Sequence, residues 1–271
     1  MTIKNIVDGI LSAHPDIGDR RTCDVIIGAD PEMECTGIAI SIAPTVEVIR
    51  KAIGIRANFI FIHEPTFFSG YDDDCGWLEG NDVYEEKKAL LEDNGIVVFR
   101  DHDHMHAHKP DGIFTYIMKQ FGWDKYLVEM GTWRQVFRLP ETTLGDLVRH
   151  IRSRTGLETI RFIGNPDAKV STIGFCGHLF PNDDSNWSNN AQVTAAWPYD
   201  VIIPGEIVEW TLPLYISEAA ALGKAKGMIL PGHFVQEEAG VRWAGDWLIR
   251  PVTGDELPIT FIPAGDMFSY M

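Results

Sequence analysis

The chain has 271 residues, 45% of them hydrophobic and 23% charged, and its 23 Lys and Arg against 39 Asp and Glu give a formal net charge of −16. This composition excludes wholesale disorder and leaves enough chain for one large α/β unit or two domains. So acidic a surface repels phosphate backbones and anionic headgroups, which argues against nucleic acid and membranes as partners.

Helical spacing of Ile3, Ile6, Val7, Ile10 and Leu11 predicts a helix over 2–13, with Thr2 as its cap. CDVIIGAD (23–30) and TGIAISIAP (36–44) predict strands. TVEVIRKAIGI (45–55) predicts a helix, and ANFIFIHEP (57–65) a buried strand. NDVYEEKKALLEDNG (81–95) predicts a helix closed by Gly95, and IVVFRDHD (96–103) the next strand. The βαβαβ order from 36 to 103 implies a parallel or mixed sheet with crossover helices.

A weaker strand over 132–139 comes next, then the helix LGDLVRHIRSRTG with Thr143 as cap and Gly156 as stop. TIRFIGN and KVSTIGFCG predict strands, and NDDSNWSNN (182–190) a polar loop. AIGIRANFIFIHEP (52–65) and QVTAAWPYDVIIPGEI (192–207) align as a faint internal repeat, Asn58 with Asp200 and Glu64 with Glu206. Any two αβ segments share such a pattern, so the sequence leaves both duplication and coincidence open.

Cys23, Cys35, Cys75 and Cys176 form no CxxC pair, and Asp8 interrupts the apolar stretch nearest the start. The expectation is a reduced, cytoplasmic protein with neither signal peptide nor membrane span.

The chemistry concentrates in three segments. In DHDHMHAHKPD, His102, His104, His106 and His108 follow the apolar strand IVVF, and ligands of α/β sheets bind at the carboxyl ends of strands. His63 and Glu64 stand at a similar strand end, before Pro65. In PGHFVQEEAGVRWAGDWL, His233 and Glu237 are four apart, which places both on one face of a helix or of a turn leading into one. Each segment alone also reads as an ordinary polar loop or capped helix start. Together they form a nitrogen and oxygen donor set suited to Zn, Mn, Fe or Co, and numerous enough for two ions.

These segments, in order, resemble the Nif-three-like family of dinuclear metal-centre proteins (the NGG-one-interacting-factor-three group), some of whose members are assigned as GTP cyclohydrolase type 2. The resemblance rests on DVIIGADPEMECTGIAIS, ANFIFIHEPTFF, IVVFRDHDHMHAH, YDVIIPGEI and GHFVQEEAG. It implies metal ligands at His63, Glu64, His106, His233 and Glu237. Glu64 stands where the family has His, and His106 where it has Asp, so the two departures compensate in charge. The implied arrangement has His63 and His233 on one divalent ion, Glu64 and His106 on the other, and Glu237 between them. His102 is implied as an acid/base group or a residue behind the ligands. Asp103 reads more readily as solvated than as an orienter of imidazole, His104 and His108 have no family counterpart, and His178, Glu206 and Glu209 are further pocket candidates.

The expected architecture is two similar α/β halves with mixed sheets and the metal site at strand ends between them. The first lobe is 1–130 plus 231–271, with 131–230 inserted as the second. The expected function is metal-dependent hydrolysis of a small cyclic amide or a purine- or pterin-like substrate, possible nucleotides included, through a hydroxide bridging two divalent ions. A non-catalytic metal-binding or regulatory interaction protein is the alternative, and a mononuclear hydrolase of another fold is a third reading. No GxxxxGK[ST] or GxGxxG phosphate loop is present, and Arg100 and Lys109 are the basic residues nearest the histidines. The resemblance also implies a toroidal homohexamer.

Overall fold

The computed structural model describes residues 1–131, 134–176 and 198–271. It divides into two compact units, Met1–Tyr116 with Glu237–Asp266, and Ile117–Gln236 with Met267–Met271. Each unit carries one mixed β-sheet, so the chain is α/β. No helix among the described residues is long and apolar enough to cross a membrane.

In the first unit, β1 (Val25–Gly28), β2 (Ile38–Ile40), β3 (Phe59–Ile62), β4 (Val97–Arg100) and β11 (Ile259–Phe261) form a sheet ordered β1-β4-β3-β2-β11. Only β1 runs antiparallel, against β4; the other pairings are parallel. β3 and β4 are buried at every residue, as expected of parallel strands covered on both faces. The rings of Phe61 and Phe99, paired in register, meet edge to face with centroids 6.1 Å apart. Full burial of each such side chain contributes roughly 1.5–3 kcal/mol.

The crossover helices α2 (Val46–Gly54) and α3 (Asp82–Glu92) start where the sequence supplies oxygen acceptors. Thr45 Oγ1 accepts from Val48 N, and Asn81 Oδ1 from Val83 N and Tyr84 N. At the N-terminus, α1 (Ile3–Ala13) is capped by Thr2, whose hydroxyl accepts from Asn5 N. Its apolar stripe, Ile3, Ile6, Val7 and Ile10, is buried.

The histidine run departs from a plain loop. His102 through His106 wind into a short helix, α4 (Asp103–Ala107). The cause is Asp24, whose carboxylate accepts the main-chain N–H groups of His102, Asp103 and His104 at 2.8, 2.8 and 3.1 Å. Asp111 then starts α5 (Gly112–Phe121) by accepting from Ile113 N and Phe114 N.

The second sheet is ordered β5-β6-β8-β9-β10-β7, from β5 (Leu127–Met130), β6 (Arg134–Thr143), β7 (Arg161–Ile163), β8 (Lys169–Cys176), β9 (Val201–Ile203) and β10 (Gly227–Leu230). Its middle strands β8, β9 and β10 are parallel. Between β6 and β7, α6 (Leu144–Thr155) has the caps the sequence announces. Thr143 Oγ1 accepts from Asp146 N, and Gly156 closes the helix at φ +77°, a conformation that L side chains rarely adopt. Among the described residues the further α-helices are α7 (Leu212–Ala221), α8 (His233–Ala244) and, after a π turn over Gly245–Ile249, α9 (Arg250–Thr253).

The repeat has a physical counterpart. Asn58 precedes β3, its side chain accepting from Thr36 N and its carbonyl from Val97 N. Asp200 precedes β9, its side chain accepting from Ser171 N and Thr172 N and its carbonyl from Gly227 N. In each unit one residue thus ties the central parallel strand to both neighbours. The segment 192–197 of the repeat, the loop at 182–190, residues 132–133 of the expected strand, and His178 lie outside the described residues.

Candidate metal centre

The site grows from the ends of β3 and β4. After Ile62 the chain turns, and the N–H groups of His63 and Glu64 both donate to the Ile42 carbonyl, at 3.1 and 2.8 Å. The loop beyond Pro65 is pinned by Asp72, which accepts from Thr66 N and Phe67 N. Arg100, at the end of β4, is buried and donates to the carbonyls of His63 and Gly70. Its guanidinium is therefore committed to the main chain.

Three imidazoles meet here, each with one ring nitrogen fixed by an acceptor. His63 is fully buried, and its Nδ1 lies 2.9 Å from the Asp101 carbonyl. A carbonyl only accepts, so Nδ1 carries a proton. His106 Nδ1 lies 2.8 Å from Asp111 Oδ2, and His102 Nδ1 lies 3.0 Å from Asp103 Oδ1. A carboxylate or carbonyl on one nitrogen is the arrangement that orients a metal-binding imidazole through the other.

Two donor groups share His63. One ligand atom from each of His63, His102 and His106 lies within 4.8 Å of the others, and the same holds for His63, Glu64 and Glu237. Ligands about 2.1 Å from a tetrahedral zinc lie about 3.4 Å apart, so slight closure around an ion satisfies either group. His63 Nε2 is buried with no hydrogen-bond partner, its neighbour Glu237 Oε2 standing at 3.5 Å. An orphaned nitrogen facing a carboxylate is what removal of a cation would leave, so these residues fit a metal.

The electrostatics distinguish the rings. Burial lowers the proton affinity of His63, but Glu237 and then Glu64 outweigh it, and the net pKa is raised. For His102, burial and then the neighbouring His63 push the pKa down to about 4. His102 is accordingly neutral at pH 7 and available as a ligand or proton acceptor. Asp103 is held below the usual carboxylate range, chiefly by its hydrogen bond with His102. Asp103 thus orients an imidazole and is more than a solvated residue.

The other candidates have separate settings. His233, in the second unit, has Nδ1 3.1 Å from Glu206 Oε1. It is the first residue of α8, four ahead of the buried Glu237. Glu209 is exposed. His104 Nδ1 is hydrogen-bonded to Asp24 Oδ2, and His108 Nε2 lies 2.7 Å from His14 Nδ1. The sequence reading missed Asp111, Asp101 and His14. Asp111, preceding Gly112 and an apolar helix, was legible as a cap; the other two reveal themselves only in the fold.

The comparisons with known proteins agree with this architecture. The sequence profile of the family Duf34/NIF3 (NGG1p interacting factor 3) matches residues 21–264. No curated protein sequence matches significantly. Among solved structures, the fold resembles Staphylococcus aureus hypothetical protein SA1388, with a TM-score of 0.72 at 17% identity over 100% of this chain and 99% of that one. It also resembles a Bacillus cereus protein related to NIF3, with a TM-score of 0.69 at 15% identity over 100% and 99%. A third is reduced HcgD from Methanocaldococcus jannaschii, with a TM-score of 0.63 at 16% identity over 96% and 97%. Identities this low speak for the fold, while the profile, spanning most of the chain, speaks for descent: the chain belongs to the Duf34/NIF3 family.

Proposed function

We propose that the chain is a dinuclear metal-dependent hydrolase acting on a small cyclic amide or a purine- or pterin-like ring. The observation that carries this reading is the pair of donor groups that share His63, whose Nε2 is buried with no hydrogen-bond partner. His63, Glu64, His106 and Glu237 would hold the divalent ions in this reading. Zn, Mn, Fe and Co all suit such a nitrogen and oxygen set. Bound ions would supply Lewis acidity and draw the pKa of coordinated water from 15.7 toward ~7.

The chain's own groups would do the rest. His102, neutral and oriented by Asp103, is the candidate to take or return a proton during ring opening. Arg100 is occupied by two carbonyls, which favours an uncharged ring over a triphosphate. The proposed assembly is a homohexamer, which light scattering would test.

The test is metal analysis of chain purified without chelator, then hydrolysis assays with Mn or Zn on a panel of cyclic amides and nucleotides. At least two equivalents of metal are expected in a chain with a two-metal centre, with turnover lost in Glu237→Gln. A chain that carries no transition metal and takes up none overturns the proposal. Metal without turnover of any substrate would favour the regulatory metal-binding reading.

A further inference from the structure

The histidines that the proposed centre leaves unused assemble into a cluster of their own. The carboxylates of Asp24 and Asp101 and the imidazole of His104 each present a ligand atom within 4.8 Å of the other two. The Asp24 and Asp101 side chains are 2% and 0% exposed, and that of His104 is 17% exposed. Asp101 Oδ2 lies 2.8 Å from His14 Nε2, whose other nitrogen meets His108. Asp101 Oδ1, by contrast, is buried and has no hydrogen-bond partner. Among the described residues, no Lys or Arg forms an ion pair with either carboxylate. Two buried carboxylates, one with an orphaned oxygen, beside an imidazole are a donor set suited to a cation.

We propose that Asp24, Asp101 and His104 form a further divalent-cation site, separate from the centre around His63 and Glu237. Mixed carboxylate and imidazole donors select a zinc-class ion. Asp101 Oδ1 is the open ligand position, and His14 secures the other oxygen of the same carboxylate from behind. The ion would enter past His104, which is partly exposed, and replace the hydrogen bond between His104 Nδ1 and Asp24 Oδ2. Asp24 also caps α4 and so holds the backbone of His102. The Asp101 carbonyl fixes the ring of His63. An ion here would stiffen both elements that present the first centre.

The test is anomalous diffraction from crystals of the whole chain soaked in zinc, recorded on both sides of the zinc edge. The expected result is an edge-specific peak bounded by Asp24, Asp101 and His104, distinct from any peak at His63 and Glu237. Edge-specific density absent from that position overturns the site. The two positions are scored separately, so failure here is distinguishable from failure of the proposed hydrolytic centre. In solution, chain loaded with zinc and freed of excess ion is compared with His104→Ala and with the double variant His106→Ala, Glu237→Gln. His104→Ala should lose one equivalent, and the double variant should keep that equivalent. Wild-type stoichiometry in His104→Ala overturns the proposal.

Discussion

The imidazoles of His63 and His102 stack, with centroids 4.5 Å apart and planes 22° from parallel. Two imidazolium rings cannot share such a contact in a buried site, and the neighbouring carboxylates place the charge on His63. In the metal-free chain, NMR should show His102 titrating near pH 4 and His63 above the ordinary histidine value. Because folding lowers the proton affinity of His102, its contribution to stability is complete above pH 6.5 and is lost as pH falls toward about 4. The loss is on the order of 3 kcal/mol. His102→Gln should flatten that part of the acid limb in denaturant titrations. Two rings titrating together near 6.5 would contradict the assignment.

Asp111 serves both a helix and a ligand, and two substitutions separate those services. Asp111→Ala removes the acceptor for Ile113 N and Phe114 N, and should cost about 1–2 kcal/mol in chemical denaturation. Asp111→Asn keeps an oxygen for the cap but turns an NH₂ toward His106 Nδ1. Its stability should stay near wild type while zinc affinity, measured by chelator competition, falls roughly 10–100-fold. Equal affinity in Asn and wild type would show that His106 needs no carboxylate behind it.

Gly240 lies one turn after Glu237 on α8, where an added Cβ would come within 2.6 Å of Ile113 Cα and 2.7 Å of the Ile113 carbonyl oxygen. Both contacts are backbone, so neither can swing aside. Helix propensity alone would favour Ala by about 0.8–1.0 kcal/mol, but overpacking should win and destabilise by roughly 1–3 kcal/mol. Gly240→Ala should also weaken metal binding, since the shift reaches Glu237. A thermal scan showing Gly240→Ala more stable than wild type would refute this.

Lys87 is buried with its Nζ 2.6 Å from the Thr66 carbonyl, and burial lowers its pKa to about 8 despite the charge of Asp72. The unfolded chain binds this proton more tightly, so stability should rise as pH climbs from about 8 toward 10.5. Lys87→Met should abolish that rise in urea unfolding curves recorded at pH 7.5 and 10. A slope unchanged in the variant would assign the effect to other groups.

Much of the fold was legible because its signals are local. Thr143 and Gly156 bracket α6 in the sequence as they do in the structure, and the apolar runs of β3 and β4 announced a sheet covered on both faces. The short elements β10 and β11 and the helices α5 and α7 went unread; β11 is three residues between prolines, too brief for any period to show. The histidine run needed distant information, since the cap that winds it into α4 is Asp24, 78 residues before His102. For the same reason the sequence exposed the donor types at His63, Glu64, His106 and Glu237 but not their partners. The contacts of Asp101 and His14 depend on β4 and α1 being folded, and no spacing rule reports that.

Asn58 and Asp200 hold their strands by the same three-way stitch, yet the residues just past the two strands differ: His63 and Glu64 in one case, Pro204, Gly205 and Glu206 in the other. A scaffold fastened upstream of its business end leaves that end open to revision. Evolution, or a protein engineer, could rewrite the residues beyond Ile203 to alter what the molecule accepts while the stitching keeps the underlying weave intact.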